Sequence, residues 1–216
     1  MRIGTFGAGN MAEALTAHWV RAGHEVMIGA RSPEKARAAA GRVGARAGGL
    51  REAARFGEVI LLALPHDAAV ATVRAAGPLD GRVLVDCTNP IVPPAFTLAT
   101  GHGPAAAERI AAAAPAAHVV KAFNLCHEGI WRMTPPVFDG RPLGVPVCGD
   151  DPGAVATAGR LVRDAGAVPL PGGGLARAGL LEATAAFVIG LWFAGADPAA
   201  MLPPVEIAMG GEPHVV

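Results

Sequence analysis

The chain has 216 residues, room for one domain of ordinary size or one domain with a small appendage. Hydrophobic residues make up 52% and charged ones 17%, so a large buried core is expected and disorder is not. Lysine plus arginine equals aspartate plus glutamate at 18 each, a balance that points away from nucleic acid or an anionic membrane as partner.

The elements follow in chain order. "RIGTFG" (2–7) reads as a strand and "NMAEALTAHWVRAG" (10–23) as a helix, with Met11, Leu15, Trp19 and Ala22 on one stripe. Gly23 stops that helix as its C′ glycine. "HEVMIGA" (24–30) is the second strand. Ser32 then caps a helix whose first turn holds Pro33 and Glu34, both favoured there. A short strand near 43–47 and a helix near 50–56 follow. "EVILLAL" (58–64) is apolar on both faces, as a central parallel strand is, and "RVLVDCT" (82–88) is another, with a helix near 67–76 between them. A Pro- and Gly-rich crossover (89–104) leads into the helix "AAAERIAAAA" (105–114), and "HVVKAFN" (118–124) is the next strand. "GVPVCG" (144–149) reads as a strand. Asp151 caps and Pro152 opens a helix to about 164, "AVPL" (167–170) is a short strand, "GGG" (172–174) a turn, and 176–196 a long apolar helix. This alternation predicts an α/β fold: a Rossmann-type doubly wound, mostly parallel sheet with a small C-terminal lobe.

Cys87, Cys126 and Cys148 are far apart, form no CxxC and stand at no metal-ligand spacing with histidine. They read as buried thiols in a reducing compartment, and no metal site is expected. Met1-Arg2 runs straight into a short strand, without the longer apolar region and cleavage site of a signal peptide. The uncharged run between Glu182 and Asp197, "ATAAFVIGLWFAGA", is too short to span a bilayer. A cytoplasmic protein with no membrane partner is the expectation.

"GAGNMA", Gly7-Ala8-Gly9-Asn10-Met11-Ala12, is a G-x-G-x-x-A fingerprint between the first strand and the first helix. Gly7 permits the sharp turn, Gly9 lets the backbone approach a pyrophosphate, and Ala12 allows close helix-on-strand packing. Free N–H groups of the helix would then meet the phosphates. The place near the end of the second strand where an acid would bind the NAD ribose holds Ala30 and Arg31, followed by Ser32 and Lys35. Two cations and no acid favour the 2′-phosphate of NADP(H), with Arg31 as a bidentate partner. Residues 1–142 are accordingly expected to form an NADP-binding Rossmann domain and 143–216 the small lobe packing on it.

Two further loops lie at the carboxyl ends of strands, where ligands of open α/β sheets bind. "LPHD" brings Leu64, Pro65 and His66, and "CTNP" brings Asn89 and Pro90, to the nicotinamide half of the cofactor. In "VVKAFNLCHEGIW" (119–131), Lys121 sits unusually in an apolar strand, and Asn124 follows three residues later. Both are candidates to act at the reacting centre. The alternative for Lys121 is a stem along the core with its ammonium in water, and for His127 a helix-start residue without chemical duty. No Ser/His/Asp set, acid pair or metal triad stands out, which suits a hydride transfer that depends on positioning.

"GAGNMAEAL", "IGARSPEKA", "ALPHDA", "VDCTNP", "VVKAFN", "VPVCGDD" and "GLLEA" occur in an order that resembles the NADPH-dependent coenzyme F420 reductases, or F420H2:NADP oxidoreductases, over nearly the whole chain. The resemblance implies a small, usually homodimeric enzyme that passes a hydride between NADP(H) and a 5-deazaflavin docked on the nicotinamide. It implies Gly7, Ala8, Gly9, Asn10 and Met11 at the pyrophosphate and Arg31 and Lys35 at the 2′-phosphate. Asn124, Leu125 and Cys126 would face the deazaflavin. Archaeal members differ in carrying a serine at the place of Ala30 and a His-Thr-Ile-Pro run in place of Asn124 to His127. "GAGNMAEAL" also resembles the opening of pyrroline-5-carboxylate reductases, and a similar module forms the cytoplasmic half of membrane ferric reductases. Reduction of a small carbonyl or imine, or non-catalytic NADP(H) sensing, are the alternative readings. The apolar helix 183–196, with no charged face, is the expected homodimer interface.

Overall fold

The computed structural model describes residues 1–198 together with Met201 and Ala208. The remainder of the expected C-terminal lobe lies outside the described residues. Among the described residues eight strands form the main sheet: β1 (Arg2–Phe6), β2 (Glu25–Gly29), β3 (Arg46–Gly48), β4 (Val59–Leu62), β5 (Val83–Asp86), β6 (His118–Lys121), β7 (Gly144–Gly149) and β8 (Val168–Gly173). Their order across the sheet is β3-β2-β1-β4-β5-β6-β7-β8. The first six run parallel. β7 is antiparallel to β6, and β8 is parallel to β7. This is the Rossmann-type α/β sheet that the sequence predicts, extended at one edge. The two strands assigned from sequence to the C-terminal lobe are hydrogen-bonded into it.

Among the described residues seven α-helices pack with the sheet: α1 (Asn10–Arg21), α2 (Pro33–Val43), α3 (Leu50–Phe56), α4 (His66–Ala75), α5 (Ala106–Ala113), α6 (Pro152–Asp164) and α7 (Ala178–Phe193). The period-2 alternation of the strands divides the core in two. Val59 and Leu61 of β4 join Leu15 and Trp19 of α1 and Leu161 of α6, whereas Ile60 and Leu62 join Ala53 of α3, Val73 of α4 and Ile110 of α5. The Trp19 indole donates to the Leu161 carbonyl at 3.0 Å, so the large ring that fills the first layer also ties α1 to α6.

Differences from the sequence reading are local. α1 ends at Arg21, so Ala22 falls beyond the stripe and is exposed, while Gly23 is left-handed at φ 84° as a stop requires. α2 runs on to Val43, where Gly44 turns at φ 74°, and this delays β3 to residue 46. Gly172 and Gly173 belong to β8 instead of a free turn. A Cβ on Gly172 would sit 2.7 Å from the Val147 carbonyl oxygen, so glycine is what lets β8 close on β7.

Leu175–Phe193 is long and apolar enough, by length and composition, to cross a membrane. Its residue Glu182 is fully buried and hydrogen-bonded to the start of α5, which ties one side of the helix to the sheet's covering layer. Its outward side leaves Leu180, Phe187, Trp192 and Phe193 exposed.

Candidate functional site

β1 ends at Phe6 and the chain turns at Gly7, with φ 123°. The Gly7 N–H donates to the Gly29 carbonyl at 2.9 Å, and a Cβ there would overlap the Ala63 carbonyl oxygen. Gly7 is therefore demanded by the fold itself. Gly9 is different. It precedes α1 in extended conformation, no side chain caps the helix, and a Cβ on it would meet no protein atom within 4 Å. Nothing in the protein's own packing calls for glycine at this position. What the missing side chain does is leave the approach to the first-turn amides of α1 open, as a phosphate site needs.

This opening lies where the strand order reverses, between β1 and β4. A cleft of about 390 Å³ runs from it along the carboxyl ends of β1 and β2, lined by Gly7, Ala8, Gly9, Leu64 and Pro65. Its far end is formed by Arg31, Ser32 and Lys35. No aspartate or glutamate lines it. The Ser32 hydroxyl accepts from the Lys35 N–H at 3.3 Å and so caps α2. Arg31 and Lys35 are exposed, and among the described residues neither pairs with a carboxylate. A second groove of about 320 Å³ shares Gly9, Ala63, Leu64 and Pro65 with the first and continues past Asn10, Met11, His66, Thr88 and Asn89. Pro90 does not line this groove; it is buried, with its carbonyl accepting from the Ala99 N–H at 2.7 Å.

Lys121 and Asn124 line neither groove. The Lys121 ammonium is fully enclosed and donates to Asp86 Oδ2 at 2.9 Å, to the Thr88 carbonyl at 2.6 Å and to Glu182 Oε1 at 3.0 Å. Burial alone would lower its pKa, but the charges and hydrogen bonds of Asp86 and Glu182 outweigh that and raise it, so the ammonium stays charged. The structure thus replaces a lysine reaching water with one whose three N–H groups each find an acceptor. After β6 the backbone goes left-handed at Phe123, φ 63°, and the Phe123 ring is held edge-on to Trp19 and Trp131 at 6.0 and 5.2 Å. That turn directs Asn124 toward Asn89 and α7. Its Nδ2 donates to Asn89 Oδ1 at 3.0 Å and to the Leu181 carbonyl at 3.1 Å.

Cys126 is half-buried and its thiol is pushed up to about 11 by burial, and Cys87, beside Asp86, is pushed up to about 12, again chiefly by burial. Both remain protonated and weakly nucleophilic at neutral pH. His127 is exposed in a turn and pairs with Glu128 at 2.9 Å, and Glu128 in turn accepts from the Asn10 side chain at 3.0 Å. Among the described residues no group of three or more metal-ligating side chains comes together.

Glu182, Asp86 and Thr88 escaped the reading of the sequence. A lone lysine in an apolar strand and a lone acid in the apolar α7 were the available signal, because each is costly to bury without the other.

Residues 2–90 match the family described as NADP oxidoreductase, coenzyme F420-dependent. Every residue lining the two grooves lies within that match. The metalloreductase STEAP3 of Rattus norvegicus is 30% identical over 191 residues, 88% of this chain, and the chain spans 38% of that protein's length. A candidate F420-dependent NADP reductase from Arthrobacter sp. FB24 superposes with a TM-score of 0.80 at 26% identity, over 90% of this chain and 95% of its own. An imine reductase from Pseudomonas sp. shares the fold, with a TM-score of 0.68 at 19% identity over 89% of this chain and 63% of its own.

Proposed function

We propose that the chain is an oxidoreductase that binds NADP(H) along the continuous groove and transfers a hydride to a flat acceptor, coenzyme F420 being the first choice. One observation carries the reading: an acid-free cleft at the strand-order reversal that begins at open helix amides and ends at Arg31, Ser32 and Lys35. The pyrophosphate belongs at Gly7, Ala8, Gly9, Asn10 and Met11, where the α1 amides and helix dipole favour negative charge. Arg31 and Lys35 supply positive charge for the 2′-phosphate, and Ser32 adds a hydroxyl already oriented by its capping bond. The nucleotide's reducing end would then run past Leu64, Pro65 and His66 toward Thr88 and Asn89. NADPH, when bound, supplies the hydride, and the protein's part is to hold donor and acceptor face to face and exclude water.

F420 as acceptor is supported by the family match over 2–90 and by the Arthrobacter sp. protein, whose description names that cofactor. A homodimer is supported by the exposed apolar side of α7, through Leu180, Phe187 and Phe193. Two measurements test the reading. Calorimetry should show NADPH binding at least tenfold tighter than NADH, and equal affinity would sink it. NADPH with oxidised F420 should then bleach the deazaflavin's visible absorbance. Turnover only with a carbonyl or imine panel, or with ferric chelates, would move the acceptor elsewhere, and tight binding without turnover would make the protein a sensor.

A further inference from the structure

We propose that Lys121 and Glu182 are positioning residues: their buried ion pair fixes the Thr88–Asn89 wall of the second groove from α7, and so aligns the nicotinamide half of the nucleotide without touching it. The inference rests on the NADP(H) reading above.

Thr88 and Asn89 form part of the groove but are not held by sheet pairing, since β5 ends at Asp86. Thr88 is fixed at both its backbone groups instead. Its N–H donates to Asp86 Oδ1 at 2.9 Å, and its carbonyl accepts from the Lys121 ammonium at 2.6 Å. Lys121 is in turn held by Asp86 at 2.9 Å and by Glu182 at 3.0 Å, all three side chains being inaccessible to water. Glu182 is anchored beyond the lysine, since Oε2 accepts from the Ala106 N–H at 2.9 Å and Oε1 from the Ala107 N–H at 3.2 Å, at the start of α5.

Asn89 is reached by a second route from the same place on α7. The carbonyl of Leu181, the residue before Glu182, accepts from Asn124, which also donates to Asn89. Two adjacent residues of one helix thus hold both members of the wall. The Thr88 hydroxyl is buried and has no partner among the described residues, so the wall carries a hydrogen-bonding group in reserve whose placement this network sets. Hydride transfer tolerates little misplacement, and a shift of about 1 Å costs roughly a hundredfold.

The test uses the full chain and two ligands: NADP⁺, which fills the whole groove, and adenosine 2′,5′-bisphosphate, which fills only the adenosine end. Glu182→Gln keeps the size and leaves Lys121 with Asp86 as a neutral pair. Lys121→Met removes the ammonium. For folded Glu182→Gln, by circular dichroism, the bisphosphate should bind within about twofold of wild type while NADP⁺ weakens about tenfold, the equivalent of one lost hydrogen bond. Lys121→Met should weaken NADP⁺ further, and if it does not fold, the glutamine variant decides alone. Unchanged NADP⁺ affinity overturns the proposal, and so does equal weakening of both ligands, which reports general loosening. Failure of the wild-type protein to bind the bisphosphate would instead sink the nucleotide reading, and the inference with it.

Discussion

Asn89 and Asn124 hold each other by two hydrogen bonds across 35 positions of sequence: the Asn89 amide donates to the Asn124 carbonyl at 2.6 Å, and the Asn124 amide donates to Asn89 Oδ1 at 3.0 Å. One residue follows β5 and the other follows β6, so the pair sets the spacing between the loops of two neighbouring strands. Asn124→Ala leaves Asn89 Oδ1 without its donor and removes the side-chain tie to the Leu181 carbonyl, which keeps its own helix bond. A loss of about 1–3 kcal/mol is expected in urea, with an unchanged slope. An unshifted midpoint would contradict the role given to the pair.

Gly7 and Gly9 should separate stability from binding. Gly7→Ala places a Cβ on the Ala63 carbonyl at a positive φ, and should lower the thermal midpoint through a strain of about 1–3 kcal/mol. Gly9→Ala meets no protein atom and should leave the midpoint in place. It should nevertheless weaken NADPH about tenfold by filling the phosphate approach. The reverse pattern would move the phosphate site away from α1.

Arg31→Ala should weaken NADPH by about 1.5–3 kcal/mol, the range for a hydrogen bond to a charged group, and leave NADH unaffected. The remaining NADPH affinity should become less sensitive to salt, because one of the two cations at the cleft's end is gone. Parallel titrations at low and moderate ionic strength read both effects. Equal losses for the two nucleotides would remove Arg31 from the 2′-phosphate.

His18 gives a pH signature in the fold. Burial pushes its imidazole below the usual 6.5, more than the hydrogen bond to the Trp131 carbonyl restores. That bond is 2.6 Å, and the Arg21 guanidinium donates to the other ring nitrogen at 3.0 Å, an arrangement that needs the neutral ring. As pH falls through 6.5 the unfolded chain takes up its proton before the folded one does, so stability is full above that value and declines below it. Glu13, held low chiefly by its hydrogen bond to Arg42, loses its contribution only as pH falls below 4.5, in a separate window. Denaturation midpoints should fall from pH 7 to pH 5, and fall less in His18→Gln. An identical decline in both proteins would exclude His18 as its source.

The parts of the candidate site that are legible in sequence are those made by neighbours in the chain. Gly7, Gly9, Arg31, Ser32 and Lys35 sit at strand ends and helix starts, where a few consecutive residues set the geometry. Lys121 is anomalous in an apolar strand, but its partners Asp86 and Glu182 are 35 and 61 positions away, and nothing local says which acid meets which base. The reversal of β7 was likewise unreadable, because "GVPVCG" carries the same apolar pattern in either direction. Asn124 stands out in sequence only for its place at a strand end, and its bonds to Asn89 and Leu181 depend on the left-handed turn at Phe123.

The enclosed lysine bears on where this polypeptide can be cut. A fragment ending at residue 142 would retain the ammonium with a single carboxylate and strip the α5 amides of their acceptor, besides exposing the flank of β6 that β7 now covers. Residues 1–142 and the portion after them are therefore expected to unfold as one cooperative unit. Limited proteolysis should yield no stable amino-terminal half, and shuffling that half onto another carboxy-terminal portion should succeed only where the incoming helix brings its own buried acid.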